Sequence, residues 1–233
     1  MKLHPSRNTT DHNGVMQCDR LNILSKAAIA LVGDRRRGLL GIAGPPGAGK
    51  STLAEALVEA IAAARGADWV AHVPMDGFHL ADVQLERLGA RDRKGAPDTF
   101  DVDGYALLLR RLLEDPDQPI YAPGFERTLE QPIAAAVVVP PSARLVVTEG
   151  NYLLLPEPRW EAVRAQLAEV WHVTTDDATR RARLVDRHVA FGKDPDAAAR
   201  WVLESDEANA VLVSSASHRA DRVIVNTDDG WVT

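Results

Sequence analysis

Little in this sequence could hold a fold together by covalent or metallic means. Its one cysteine, Cys18, has no partner for an intramolecular disulfide, and no Cys/His set has zinc-ligand spacing. Stability is therefore expected from packing in a reducing compartment, which fits the cytoplasm. No stretch of ~18 consecutive apolar residues is present, so a spanning helix has no support. The segment 1–17 is polar and lacks the apolar core of a signal peptide; it is expected to be a disordered tail. Basic excess is also missing. A formal net charge of -6 over 233 residues lends nothing to bulk binding of nucleic acid or anionic membrane. Internal repeats, low-complexity tracts and an interdomain linker are absent as well, which leaves a 45% apolar chain long enough to bury one large core.

What is present alternates. Leu21, Leu24, Ala28, Leu31 and Val32 recur at helical spacing, and Leu39 to Ala43 reads as a buried strand. An Ala-rich helical pattern follows from Ser51 to Ala64, then a strand from Trp69 to Val73 and a helix from Val102 to Leu113. Further strands are predicted at Arg144–Thr148, Val170–Thr174 and Arg222–Val225, and helices at Asp177–Phe191 and Asp194–Val213. Gly89–Phe100 and Gln118–Pro132 read as loops long enough to shape a site. Such alternation implies an α/β fold with a mainly parallel sheet covered on both faces, and ligands at the carboxyl ends of its strands.

Between the first strand and the second helix stands Gly44-Pro45-Pro46-Gly47-Ala48-Gly49-Lys50-Ser51, a full G-x-x-x-x-G-K-[ST] match in the context that the motif requires. Its glycines let successive N–H groups and the helix N-terminus point at phosphate oxygens. Lys50 would bridge the β- and γ-phosphates, and Ser51 would offer a hydroxyl to magnesium, with Thr52 next on the helix. Replacing Lys50 is expected to abolish turnover and spare the fold, since a lysine on an exposed loop carries little packing energy. A P-loop alone indicates nucleotide rather than kinase. The chain has no guanine-reading Asn-Lys-x-Asp segment and no Ser-Gly-Gly-Gln signature of transporter ATPases.

Two acids fall at predicted strand ends. Asp76, in Met75-Asp76-Gly77-Phe78-His79, could orient an attacking hydroxyl and take its proton, or could cap the helix that follows. His79 beside it either contacts an acceptor or sits on the rim. Glu149, before Gly150, stands where P-loop enzymes place a magnesium carboxylate; the alternative is an acid paired with a surface arginine. Arg180, Arg183 and Arg187 share one face of a predicted helix, which suits either a lid over the transferring phosphoryl group or a solvated face.

Together the segments Gly44 to Thr52, Asp76 to His79, Val147-Thr148-Glu149-Gly150-Asn151-Tyr152, the arginine helix and Ser205-Asp206-Glu207-Ala208-Asn209-Ala210 resemble the phosphoribulokinase/uridine kinase superfamily, over Leu21 to Val225. The sequence looks most like small bacterial kinase-like proteins of the fructose-transport-system type, and more distantly like bacterial pantothenate kinase. The resemblance implies a P-loop NTPase fold with a helical lid, residues 18–233 forming one kinase domain, and ATP and Mg2+ as cofactors. Asp76 would then be the base, Lys50, Arg183 and Arg187 would act on the phosphates, and Arg180 and Asn209 would contact the nucleotide. Ser51 and Glu149 would serve the metal. For the acceptor it implies Asp76, His79, Asn151 and Tyr152, together with Tyr121, Phe125 and Arg127 from a Pro/Gly segment that could equally be a rigid turn. Uridine kinases tend to follow the base with Ser-Phe-Tyr, whereas this chain has Gly77-Phe78-His79, which weakens a nucleoside assignment. The partner expected is a small hydroxyl acceptor such as a sugar, nucleoside or pantothenate-like molecule, with no nucleic acid or membrane and with room for a homodimer. A P-loop regulatory ATPase with no small-molecule acceptor, or a nucleotide-binding module without turnover, would share the cradle.

Overall fold

In the computed structural model, which describes residues 10–115 and 117–233, every residue of strand β1 (Gly38–Ala43) is buried. A strand that is apolar on both sides can only be central, and β1 accordingly pairs in parallel with two neighbours. These are β5 (Leu145–Glu149) and β6 (Glu169–Thr174). Outside them lie β2 (Val70–His72), parallel to β5, and β7 (Arg222–Thr227), parallel to β6. The short β8 (Gly230–Val232) adds antiparallel to β7. Among the described residues this gives a six-stranded sheet in the order β2-β5-β1-β6-β7-β8.

Helices cover both faces, because each contributes an apolar stripe to one of two cores. On one face α1 (Thr10–Ala30) and α2 (Lys50–Arg65) bring Leu24, Ala28, Leu53, Leu57 and Ile61 onto Leu40, Ile42, Val147 and Trp171. On the other, α4 (Val102–Glu114), α5 (Pro158–Arg164) and α8 (Glu207–Ser215) pack Tyr105, Leu109, Trp160, Val163 and Val213 onto Leu39, Val146 and Val170. Buried Arg37 ties the lower edge by donating to the carbonyls of Ala143, Leu112 and Pro140 at 2.7–2.9 Å.

Several elements differ from the sequence expectation. Of the tail expected over 1–17, residues 1–9 lie outside the described residues, and 10–17 belong to α1. Gln118–Pro132 is not a loop: β3 (Ile120–Glu126) pairs antiparallel with β4 (Gln131–Val139) in a separate hairpin. Pro123 and Gly124 had suggested a turn, but they fall at a register shift between Ala122 and Gly124, where a bulge tolerates a residue that cannot donate to the ladder. The short helices α3 (Asp82–Arg87) and α5 and the strand β8 carry too few residues for a periodic signal. The helix expected over Asp194–Val213, by contrast, is present: after α6 (Asp177–Ala190) the chain is helical from Pro195 to Ser215, as α7 (Pro195–Trp201), a π-turn at Val202–Asp206 and α8. A π-turn inside a helix often marks a functional site, and this one places Ser205 and Asp206 on a cavity wall.

Candidate active site

Because β1, β2 and β5 run in parallel, their carboxyl ends deliver the P-loop, Asp76 and Glu149 to one edge of the sheet. Ile42 is paired in register with Glu149, so β5 ends where the P-loop begins. Tyr105 donates its hydroxyl to Thr148, and Thr148 donates to the Val73 carbonyl, which binds the β2 and β5 ends together next to the two acids.

Gly49 caps α2 in the left-handed region, at φ 95°, and a Cβ there would lie 2.3 Å from the Asn226 amide. Only glycine fits. Asn226 itself donates to the Ala48 carbonyl at 2.9 Å, so β7 buttresses the loop from the side. Lys50 is not the exposed loop residue expected from sequence: it is 8% exposed, and its Nζ donates to the Pro45 carbonyl at 3.1 Å. Burial pulls its pKa down to about 8, against the opposing pull of Glu149 and Asp76. The Ser51 hydroxyl donates to Glu149 Oε1 at 3.1 Å. Burial first, and the neighbouring Asp76 second, push the Glu149 carboxyl up to about 7.

Two cavities meet at Lys50, Ser51 and Arg187. One, of 370 Å3, lies between the P-loop, α6 and the β7–β8 edge, and is lined by Gly47, Gly49, Thr52, Arg183, Asn226 and Thr227. The other, of 460 Å3, is walled by Asp76, Glu149, the hairpin and the lid helices. Of the residues expected at an acceptor site, Asp76, His79, Phe125, Arg127 and Asn151 line this larger cavity. His79 is packed between Phe100 and Phe125, its ring tilted 45° to each, with centroids at 4.1 and 4.9 Å. Its Nδ1 lies 2.9 Å from the Asp76 carbonyl, an acceptor, so Nδ1 carries the proton and Nε2 is left to accept. Burial lowers its pKa and favours that neutral ring.

Other expected residues fall elsewhere. Tyr121 is 61% exposed on the outer side of the hairpin and lines neither cavity. Tyr152 is buried, with its hydroxyl donated to the Gly95 carbonyl, so it holds the Gly89–Phe100 loop from beneath. Asn209 faces the larger cavity and not the one beside Thr52. Gly44, Pro45 and Ala48 shape the P-loop without lining a cavity, while Pro46 faces the larger one. Arg180 shares the α6 face of Arg183 and Arg187 but not their exposure. It is 2% exposed, paired with Asp177 and Glu207, and it fastens α6 beneath the P-loop. The cause is position along α6 rather than phase: Arg180, near its start, lies against Gly47 of the P-loop, whereas Arg187, nearly the same in phase but two turns on, reaches the cavities.

Sequence reasoning assigned no role to Asn226 and Thr227, although they end a parallel strand, which is the signal that found Asp76 and Glu149. It also assigned none to Lys94 of the long loop, or to His188, Lys193 and Trp201 of the lid, which line the larger cavity. Nothing in their spacing brings these distant segments together.

A mainly parallel sheet with a P-loop at its centre, acids at the ends of β5 and β2 on one side of it and a helical lid defines a P-loop kinase fold. No family model matches the chain. Individual relatives do. It is 35% identical over 173 residues to a Schizosaccharomyces pombe protein provisionally named uridine kinase C227.14, covering 72% of this chain and 74% of that one. It is 37% identical over 145 residues to the ATP-dependent kinase-like protein notR' of Aspergillus versicolor, covering 58% and 84%. A crystal structure from Silicibacter sp. TM1040, provisionally named a fructose transport system kinase, superposes with a TM-score of 0.78 at 35% identity, covering 87% and 98%. The chain belongs to the phosphoribulokinase/uridine kinase superfamily of P-loop kinases.

Proposed function

We propose that this protein transfers the γ-phosphate of ATP, with magnesium, to a hydroxyl group of a small metabolite. The observation that carries the reading is the pair of cavities joined at Lys50, Ser51 and Arg187, with a carboxylate, Asp76, facing the larger one. A nucleotide hydrolase needs the first cavity; a second, of metabolite size and provided with a base, is what an acceptor needs. ATP use is supported by the name of the Aspergillus relative.

The residues present fit magnesium. The Ser51 hydroxyl and the Glu149 carboxylate lie side by side at the cradle, and among the described residues no cluster of three or more His, Cys, Asp or Glu side chains could form a closed metal cage. Magnesium favours such open sites, completing its shell with phosphate oxygens and water. When bound, the ion supplies neutralisation of phosphate charge.

The chain's own groups do the rest. P-loop N–H groups and the α2 N-terminus hold the phosphates, and Lys50, desolvated and released from the Pro45 carbonyl, pairs with them. Arg187, at the junction, meets charge that spreads over the transferring group. Asp76 orients the acceptor hydroxyl and takes its proton as the oxygen bonds to phosphorus and the bond to ADP breaks. His79 Nε2 accepts from a further hydroxyl, and Asn151 and Asn209 offer amides. Incubating the chain with γ-labelled ATP and a panel of sugars, nucleosides and pantothenate tests this. Label appearing in one acceptor supports the reading; label released only as inorganic phosphate, whatever is added, makes the protein a P-loop hydrolase instead.

A further inference from the structure

The hydroxyl-activating carboxylate is already occupied. Arg127 Nη2 lies 3.0 Å from Asp76 Oδ2, the one ion pair of Asp76 among the described residues. Arg127 is held in reach by a fixed platform. The Pro123 carbonyl of β3 approaches Gly77 so closely that a Cβ there would lie 2.3 Å away, and the Phe125 ring packs against His79. The hairpin is thus docked on the turn that carries Asp76, while the Arg127 side chain remains 44% exposed at its end. In that same position its guanidinium lies 5.6 Å from the Phe125 ring centroid, a contact that does not depend on the carboxylate.

We propose that Arg127 guards Asp76: without acceptor it holds the carboxylate and hinders it from activating water, and an acceptor hydroxyl displaces it. The inference rests on the kinase reading above. The reaction hindered is hydrolysis, in which a water oxygen bonds to the γ-phosphorus, the bond from that phosphorus to the bridging oxygen of ADP breaks, and a water proton passes to Asp76. Because the pair is partly solvated, its protection is modest, roughly 1.5- to 5-fold, the range that an exposed ion pair supplies.

The test is acceptor-free phosphate release from ATP by the full chain and by Arg127→Ala, Arg127→Lys and Arg127→Ala with Asp76→Asn. The alanine variant is expected to hydrolyse ATP about 1.5- to 5-fold faster than wild type, the lysine variant to recover part of the protection, and the double variant to lose the rise. A rate unchanged or lowered in Arg127→Ala overturns the guard and makes Arg127 inert or a stabiliser of the transition state. A rise that survives Asp76→Asn also overturns it. Should wild type exceed Lys50→Ala in neither phosphate release nor transfer to any acceptor, the kinase reading itself fails; transfer to an acceptor without the rise sinks the guard alone.

Discussion

The two sides of the site are built differently. The proposed nucleotide side is built around one continuous segment, Gly44 to Thr52, locked by a left-handed Gly49, a buried Lys50 and an Asn226 brace, with α6 and the β7–β8 edge closing over it. The acceptor side is assembled from four distant pieces, namely the Asp76 turn, the Gly89–Phe100 loop, the β3–β4 hairpin and the lid, and it is held mostly by partly exposed ion pairs and ring contacts. Phosphate binding needs backbone N–H groups in fixed array, whatever the acceptor. Acceptor recognition needs side chains that can be exchanged without disturbing that array. The division predicts that changes on the first side stop the reaction, whereas changes on the second alter how well or on what it proceeds.

The largest effect should come from Lys50→Ala. Turnover should vanish while the melting temperature stays near wild type, now for a different reason from the one the sequence suggested: the change removes a desolvated cation whose charge burial disfavours. Detectable transfer in this variant, measured by label in product, would break the nucleotide half of the comparison.

Next come the arginines of α6, where one helix serves both purposes. Arg187→Ala should lower kcat about 10²- to 10³-fold with little change in ATP affinity, as loss of a transition-state contact does. Arg180→Ala should act on stability instead, by about 2–4 kcal/mol, because a buried side chain and its pairs are lost. Chemical denaturation beside steady-state kinetics separates the two, and equal kinetic behaviour would refute the split.

The pH profile is a smaller, shared effect. In the proposed mechanism Glu149, whose carboxyl burial pushes up to about 7, must be ionised to take the metal, and Lys50, pulled down to about 8, must be charged to meet phosphate. kcat/KM for ATP should therefore peak between about 7 and 8, falling toward acid as Glu149 is protonated and toward alkali as Lys50 loses its charge. A profile flat from pH 6 to 9 would exclude both groups. The smallest effect should be that of Tyr121→Ala, which is expected to leave kcat and KM for acceptor within about twofold, as its side chain lies outside both cavities.

The same division explains what was legible from sequence. The P-loop, Asp76 and Glu149 could be read because each stands at or just after the end of a short apolar run that reads as a strand of a parallel sheet, and the ends of such strands converge. The hairpin could not, because Pro123 and Gly124 inside β3 carry turn chemistry that a bulge absorbs. The burial of Arg180 was hidden because the i, i+3, i+4 rule places arginines on a common face without saying which part of that face meets the P-loop. Lid residues such as Lys193 and Trp201 were missed because their place in the cavity depends on the π-turn, which has no periodic signature.

The central claim, that a carboxylate in the acceptor cavity takes the proton of a hydroxyl, is met most directly by Asp76→Asn. The asparagine keeps shape, so the variant should fold, melt near wild type and bind ATP with magnesium as wild type does. Phosphate transfer to the acceptor found in the panel should then fall at least about a hundredfold, within the range that a general base contributes. A variant that retained more than about a tenth of wild-type kcat, a barrier change under ~1.4 kcal/mol, would contradict the claim and leave Asp76 a structural residue.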